Sequence, residues 1–103
     1  MIHFDIITLF PEVIAPYAGA SILGRAQKEK LMKITGHDLR KYSKDKHKKV
    51  DDTPYGGGAG MVMTVQPIAD AVESLRMRKK FLRKHVPTVR VVMTAASGKR
   101  FTQ

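Results

Sequence analysis

Cysteine is absent from the sequence, which excludes disulfides and thiolate metal sites and is compatible with a cytoplasmic setting. No apolar run approaches the roughly 20 residues needed to span a bilayer. The opening residues, MIHFDIITLF, lack the basic n-region and cleavage site of a secretory signal. Internal repeats and low-complexity tracts are also missing. The histidines, at positions 3, 37, 47 and 85, do not show metal-ligand spacing. Acidic residues are scarce, with 9 Asp and Glu against 19 Lys and Arg, leaving a net charge of +10 on 103 residues. In so short a chain that excess points to a polyanionic partner, nucleic acid ahead of an anionic membrane surface.

The length suits one domain with a modest core. Residues 2–10 (IHFDIITLF) are mainly apolar on both alternating faces, which reads as a strand of a parallel sheet covered on both sides. Pro11 suits the first turn of a helix, and Pro16 with Gly19 ends it quickly. Ser21 reads as the N-cap of a second helix over 22–31, with Ile22, Ala26 and Leu31 inward. Residues 32–37 (MKITGH) alternate as a second strand, and the polar stretch 42–49 reads as a loop. Thr64 is placed to cap a third helix, with Pro67 in its first turn. Ile68, Val72, Leu75 and Leu82 recur at helical spacing down to about His85, where Pro87 breaks the pattern. Residues 89–94 (VRVVMT) read as a third strand, and 95–100 as a turn. The order is that of an α/β fold with a parallel sheet. Because three strands and a helix-start signal at Thr102 look unfinished, the chain reads as the front part of a larger protein.

Most of the chemistry sits in one stretch, VDDTPYGGGAGMVM, residues 50–63. Gly56, Gly57, Gly58 and Gly60 permit positive φ and close approach of a ligand or another backbone. The stretch is neither a P-loop, since no Gly-Lys-Ser/Thr follows, nor a dinucleotide fingerprint, since it follows a polar loop. Either it is a flexible loop, or it is a backbone cradle for a nucleotide or RNA with Tyr55 available to stack on a base. Lys44, Lys46, Lys48 and Lys49, with His47, lead straight into it and read as phosphate contacts or solvated charge. Arg76, Arg78, Lys79, Lys80, Arg83 and Lys84 read as a solvated helix face. Asp51 and Asp52 are adjacent, so their side chains diverge in an extended segment and do not form an acid/base pair; one of them capping the turn at Pro54 is the plainer reading. Ser97 has no evident base partner and is not read as a nucleophile. His3 reads as a satisfied core residue, and Met61, Met63, Met77 and Met93 as core fillers.

The segments FDIITLFPE, SILGRAQ, DKHKKVDDTPYGGGAGMVM with QPI, and GKRFTQ together resemble the N-terminal part of the bacterial tRNA (guanine-N1)-methyltransferases, which are trefoil-knotted SPOUT enzymes. The resemblance covers essentially the whole chain. It implies a homodimeric, cytoplasmic enzyme that transfers a methyl group from S-adenosylmethionine to N1 of the guanosine 3′ of the anticodon in tRNA. It further implies that residues 1–103 are the first, incomplete part of the SPOUT domain, inactive alone and without the knotted C-terminal half. Cofactor contacts are implied for Met93, Thr94, Ala95, Ala96, Ser97 and Gly98. The family commonly reads Leu-Ser-Pro-x-Gly in that loop, and this chain departs from it at several positions while keeping backbone contacts to an adenine available. Substrate or tRNA contacts are implied for Asp51, Pro54, Tyr55, Gly56, Gly57 and Gly58, with Lys48 and Lys49 alongside. No metal and no catalytic residue is assigned here; the general base and its Arg partner are expected in the C-terminal portion. The alternative is a small basic RNA-binding module without catalysis.

Overall fold

The computed structural model describes residues 1–82 and 88–102, with the backbone alone described for 79–82. Strand β1 (Ile2–Thr8) and strand β2 (Met32–Asp38) run parallel, Ile2 opposite Met32 and Thr8 opposite Asp38. Helices α1 (Pro11–Ala18) and α2 (Ser21–Lys28) make the crossover that a parallel pair requires. Pro11 opens α1, where its missing N–H forfeits no helical bond. Gly19 stops it, donating its N–H to the Ala15 carbonyl at 2.9 Å.

Helix α2 differs from the sequence expectation. Ser21 is its first residue rather than its cap; Ala20 holds the cap position without a side-chain hydrogen bond. Ile22 and Leu31, expected inward, are exposed. Leu31 lies beyond the helix, which ends at Lys28 instead of reaching residue 31, while α2 itself packs through Gly24, which is buried against the chain at Gly19. Ile22, about 200° earlier on the helix at 100° per residue, therefore faces out. Gln27 locks the junction, its Nε2 donating to the Ala18 carbonyl at 2.6 Å and its Oε1 accepting from the Ile34 N–H at 3.2 Å.

The pleat sorts the sheet residues onto two faces. Phe4 and Ile6 share one face with Met32, Ile34 and Gly36, and α1 packs here, with Ile14 lying over Gly36 so closely that a Cβ would sit 3.1 Å from it. The covering is partial. Phe4 is 46% and Ile6 36% exposed, and they line an apolar groove of about 510 Å³ with Val13, Tyr17, Met32 and Ile34. This corrects the expectation that β1 is covered on both sides, since two short helices over two strands leave part of the face open. The other face carries an Asp5–His37 pair at 2.8 Å, Oδ1 to Nε2, on neighbouring strands.

Past β2 the chain makes a 3-10 turn (Leu39–Tyr42), then a short antiparallel ladder of β3 (Asp51–Asp52) with β4 (Val62–Met63), then helix α3 (Val65–Leu82). Leu39, Val50 and Ala71 form the core here, with Ile7, Leu9, Tyr42 and Ile68 packed around them. Thr64 directly precedes α3, and Pro67 lies in its first turn, fully buried. Ile68, Val72 and Leu75 are half-buried, as their spacing predicts. The Leu82 side chain, the helix end near His85, Pro87 and the basic side chains of Lys79, Lys80, Arg83 and Lys84 lie outside the described residues.

Residues 89–94 do not form the expected third strand. They have no ladder partner among the described residues, and their valines stay exposed, Val92 at 72%. β-branched composition expresses fitness for a half-buried pleated surface rather than an intrinsic backbone preference, so without a partner edge the segment remains irregular. Met61, Met63, Met77 and Met93 are exposed rather than core fillers, because they flank the glycines, face away from the α3 seam, or sit in this unpaired segment.

Replacing Gly24 with Ala is expected to lower stability by about 1–3 kcal/mol, the usual cost of overpacking. The new Cβ would lie 2.7 Å from the Gly19 carbonyl carbon and closer still to its oxygen. Denaturant midpoints of the two proteins check this, and an unchanged midpoint contradicts the packing described.

Candidate nucleic-acid interface

The basic loop and the glycine stretch form one continuous structure. It begins where Asp38 Oδ1 accepts the Arg40 N–H at 3.0 Å and starts the 3-10 turn. Ser43 is buried, and its hydroxyl donates to the Lys49 carbonyl while accepting the Asp45 N–H at 3.2 Å. Asp45 Oδ2 accepts two backbone N–H groups, from His47 at 2.8 Å and Lys49 at 3.2 Å. The Asp45 carbonyl takes the Lys48 N–H at 3.1 Å, and Lys48 adopts φ +58. The N–H bonds from Lys49 and then His47 hold the Asp45 carboxyl below its ordinary pKa. The charged acceptor therefore persists through neutral pH and is lost only as pH falls through that lowered value.

Helix α3 holds the same loop from the other side. Gln66 Nε2 donates to the Tyr42 carbonyl at 2.7 Å and lies 2.6 Å from Asp70 Oδ2, while Gln66 Oε1 accepts the Lys44 N–H at 3.2 Å. The loop is thus fixed by its backbone while Lys44, Lys46, His47, Lys48 and Lys49 stay exposed. The loop backbone beneath these cationic residues therefore has little ordering left to do.

Val50, 1% exposed, ends the basic loop in the core. Its carbonyl accepts both the Thr64 N–H (2.8 Å) and the Thr64 hydroxyl (3.1 Å). Together with the β3–β4 ladder, this closes a hairpin whose tip is residues 53–61. The tip turns at Pro54, whose carbonyl accepts the Gly57 N–H at 3.0 Å, with Gly56 at φ +86 as a type II turn requires. Gly57, Gly58 and Gly60 also have positive φ, +91, +112 and +87, and a Cβ at any of the four would meet nothing within 4 Å. The glycines therefore serve backbone conformation, and the space around them is open. Tyr55 is fully exposed at the turn.

The structure brings Lys48, Lys49, Asp51, Pro54, Tyr55, Gly56, Gly57 and Gly58 into this one hairpin. Asp51 is half-buried and Asp52 exposed on consecutive strand positions, so their carboxylates diverge as the sequence implies; Asp52 Oδ1 accepts the Thr53 N–H at 2.7 Å just before Pro54. Met93, Thr94, Ala95, Ala96, Ser97 and Gly98 are a separate exposed segment beyond α3, with a turn closed by Gly98 N–H to the Ala95 carbonyl at 3.0 Å. Its small side chains from Ala95 to Gly98 leave peptide groups accessible to a ligand. Among the described residues no three His, Cys, Asp or Glu gather as a metal site, and no helix is long and apolar enough to cross a membrane. Sequence reasoning passed over Ser43, Asp45 and Gln66. The readable signal was a Ser-x-Asp in a lysine-rich loop, residue types that bond nearby backbone.

The lysine loop and the glycine hairpin both lie within residues 2–103, the span matched by the family model of tRNA (Guanine-1)-methyltransferase TrmD. The chain belongs to the tRNA (guanine-1)-methyltransferase family. It is similar to the tRNA (guanine-N(1)-)-methyltransferase of Caldicellulosiruptor saccharolyticus, at 50% identity over 97% of this chain and 38% of that protein. The Ruminiclostridium cellulolyticum enzyme of the same name is 56% identical over 70% of this chain and 31% of its own length. The crystal structure of tRNA (m1G37) methyltransferase from Aquifex aeolicus aligns with a TM-score of 0.70 and 32% identity, over 75% of this chain and 34% of that one. This member of the methyltransferase family therefore spans about two-fifths or less of the relatives it matches.

Replacing Gln66 with Ala is expected to cost about 1 kcal/mol, by leaving the part-buried Tyr42 carbonyl without this partner while the exposed Lys44 N–H turns to water. Faster amide exchange at Lys44, with the β1–β2 amides unaffected, is the outcome that checks it.

Proposed function

We propose that this chain supplies the tRNA-facing part of a homodimeric, cytoplasmic methyltransferase acting on N1 of the guanosine 3′ of the anticodon. One observation carries the reading: a lysine loop fixed by side-chain-to-backbone bonds continues into an open hairpin with four positive-φ glycines and an exposed tyrosine. The family membership and the relatives' names support it.

In this reading Lys48 and Lys49 neutralise tRNA phosphates and set the orientation of the hairpin. Tyr55 offers a ring face to an unstacked base. Gly56, Gly57 and Gly58 let the backbone follow the extruded nucleotide or the second subunit without side-chain obstruction, and Asp51 with Pro54 fixes the base of the turn. The target must leave its stack to be reached, and a fixed loop beside an open tip suits that exchange.

N1 of guanine carries a proton at neutral pH, so a positioned base must remove it during attack. No residue of this chain is assigned that task. S-adenosylmethionine supplies an electrophilic methyl group when bound, and the accessible peptide groups of Met93, Thr94, Ala95, Ala96, Ser97 and Gly98 are the residues here that fit one side of its adenosine.

Formation of 1-methylguanosine in tRNA by a full-length enzyme that carries this chain, and none by residues 1–103 alone, is the expected outcome; methyl transfer by residues 1–103 alone would overturn it. Replacing Lys48 and Lys49 with Ala is expected to weaken tRNA binding and lower the salt slope by up to about 1 per lost phosphate contact; an unmoved slope means that they touch no phosphate. In a full-length enzyme that carries this chain, Gly57→Val is expected to reduce methyl transfer, through backbone strain at φ +91 and by filling open space that close approach needs. Unchanged turnover would remove the hairpin from the site.

A further inference from the structure

We propose that Asp45 is a positioning residue for RNA, its side chain setting the backbone of residues 45–49 so that Lys46, Lys48 and Lys49 meet phosphates as a set. This rests on the reading of the loop as a tRNA contact and adds the device that shapes it.

A carboxylate is out of place in a segment that attracts polyanions. It cancels one of the four lysine charges at positions 44, 46, 48 and 49, and each uncancelled charge would strengthen binding. Asp45 is exposed, and no ion pair to it is found among the described residues. Its side chain is used on the backbone instead, since Oδ2 alone accepts the N–H groups of both His47 and Lys49. Its own N–H is taken by the buried Ser43 hydroxyl, and its carbonyl by Lys48. Between these bonds Lys48 sits at φ +58, a region that a lysine rarely adopts unless its neighbours hold it there. Once the carboxylate bonds are gone, the loop is free to relax, and its ammonium groups lose their common placement.

The same oxygen serving both N–H groups yields a test in which charge cancels. Asp45→Asn keeps a side-chain oxygen able to accept both bonds, whereas Asp45→Ala does not, and the two variants carry equal net charge. In the protein titrated with tRNA at several salt concentrations, Asp45→Ala is expected to bind roughly three- to tenfold more weakly than Asp45→Asn, the range set by losing a capping acceptor and up to one phosphate contact. Asp45→Asn is expected to bind at least as tightly as the parent. In methyl transfer by a full-length enzyme that carries this chain, the KM for tRNA rises in Asp45→Ala with kcat unchanged, and the amides of His47 and Lys49 exchange faster in that variant alone. Equal affinities of the two variants, or a fall in kcat without a change in KM, would overturn the proposal. If that occurs while the Lys48, Lys49 double replacement still weakens binding, positioning fails and the tRNA reading stands. If the lysine replacement has no effect either, both fail.

Discussion

The Val50 carbonyl holds the basic loop and the glycine hairpin together. It accepts two bonds from Thr64, while the Val50 side chain is buried with Leu39 and Ala71. The start and end of the hairpin therefore meet at a point anchored in the core. On one side of that point the chain is fixed by Ser43, Asp45 and Gln66; on the other it opens into glycines with nothing around them. Rigidity and freedom adjoin within a few residues, and the anchor lets one exist without disturbing the other. A segment of low local stability is tolerated where its opening does not spread to the rest of the chain.

The sequence made the outline readable and the second half of the sheet not. The apolar run of residues 2–10, the alternation of 32–37, Pro11, Gly19 and the Ile68–Val72–Leu75 spacing place elements within a residue or two of where the structure has them, because local periodicity and backbone punctuation decide those elements. Ser21 was misread as a cap, and Ile22 as inward, because α2 packs through Gly24, a contact in which the absence of a side chain is the signal. Residues 89–94 carry strand composition without a partner edge, and composition alone does not supply one.

For the candidate site, the glycines, Tyr55 and the lysines were visible as residue types, and the roles proposed for them come from the family resemblance. What the sequence concealed was the scaffold beneath them. Ser43, Asp45 and Gln66 act through backbone groups up to 24 residues distant, and such bonds leave no periodic trace. The Asp5–His37 pair is hidden for the same reason: two polar interruptions of apolar strands become partners only once the parallel register brings them together.

The two-stranded parallel sheet has a further consequence. Among the described residues, β1 and β2 each pair on one side only, so each offers a row of main-chain donors and acceptors next to the apolar groove. Such rims invite stacking of one molecule on another. The net charge of +10 opposes that by mutual repulsion, and the repulsion fades as the Debye length shrinks from about 10 Å at 0.1 M salt to about 3 Å at 1 M. The electrostatic term that keeps these rims apart is therefore short-ranged in concentrated salt and long-ranged in dilute buffer.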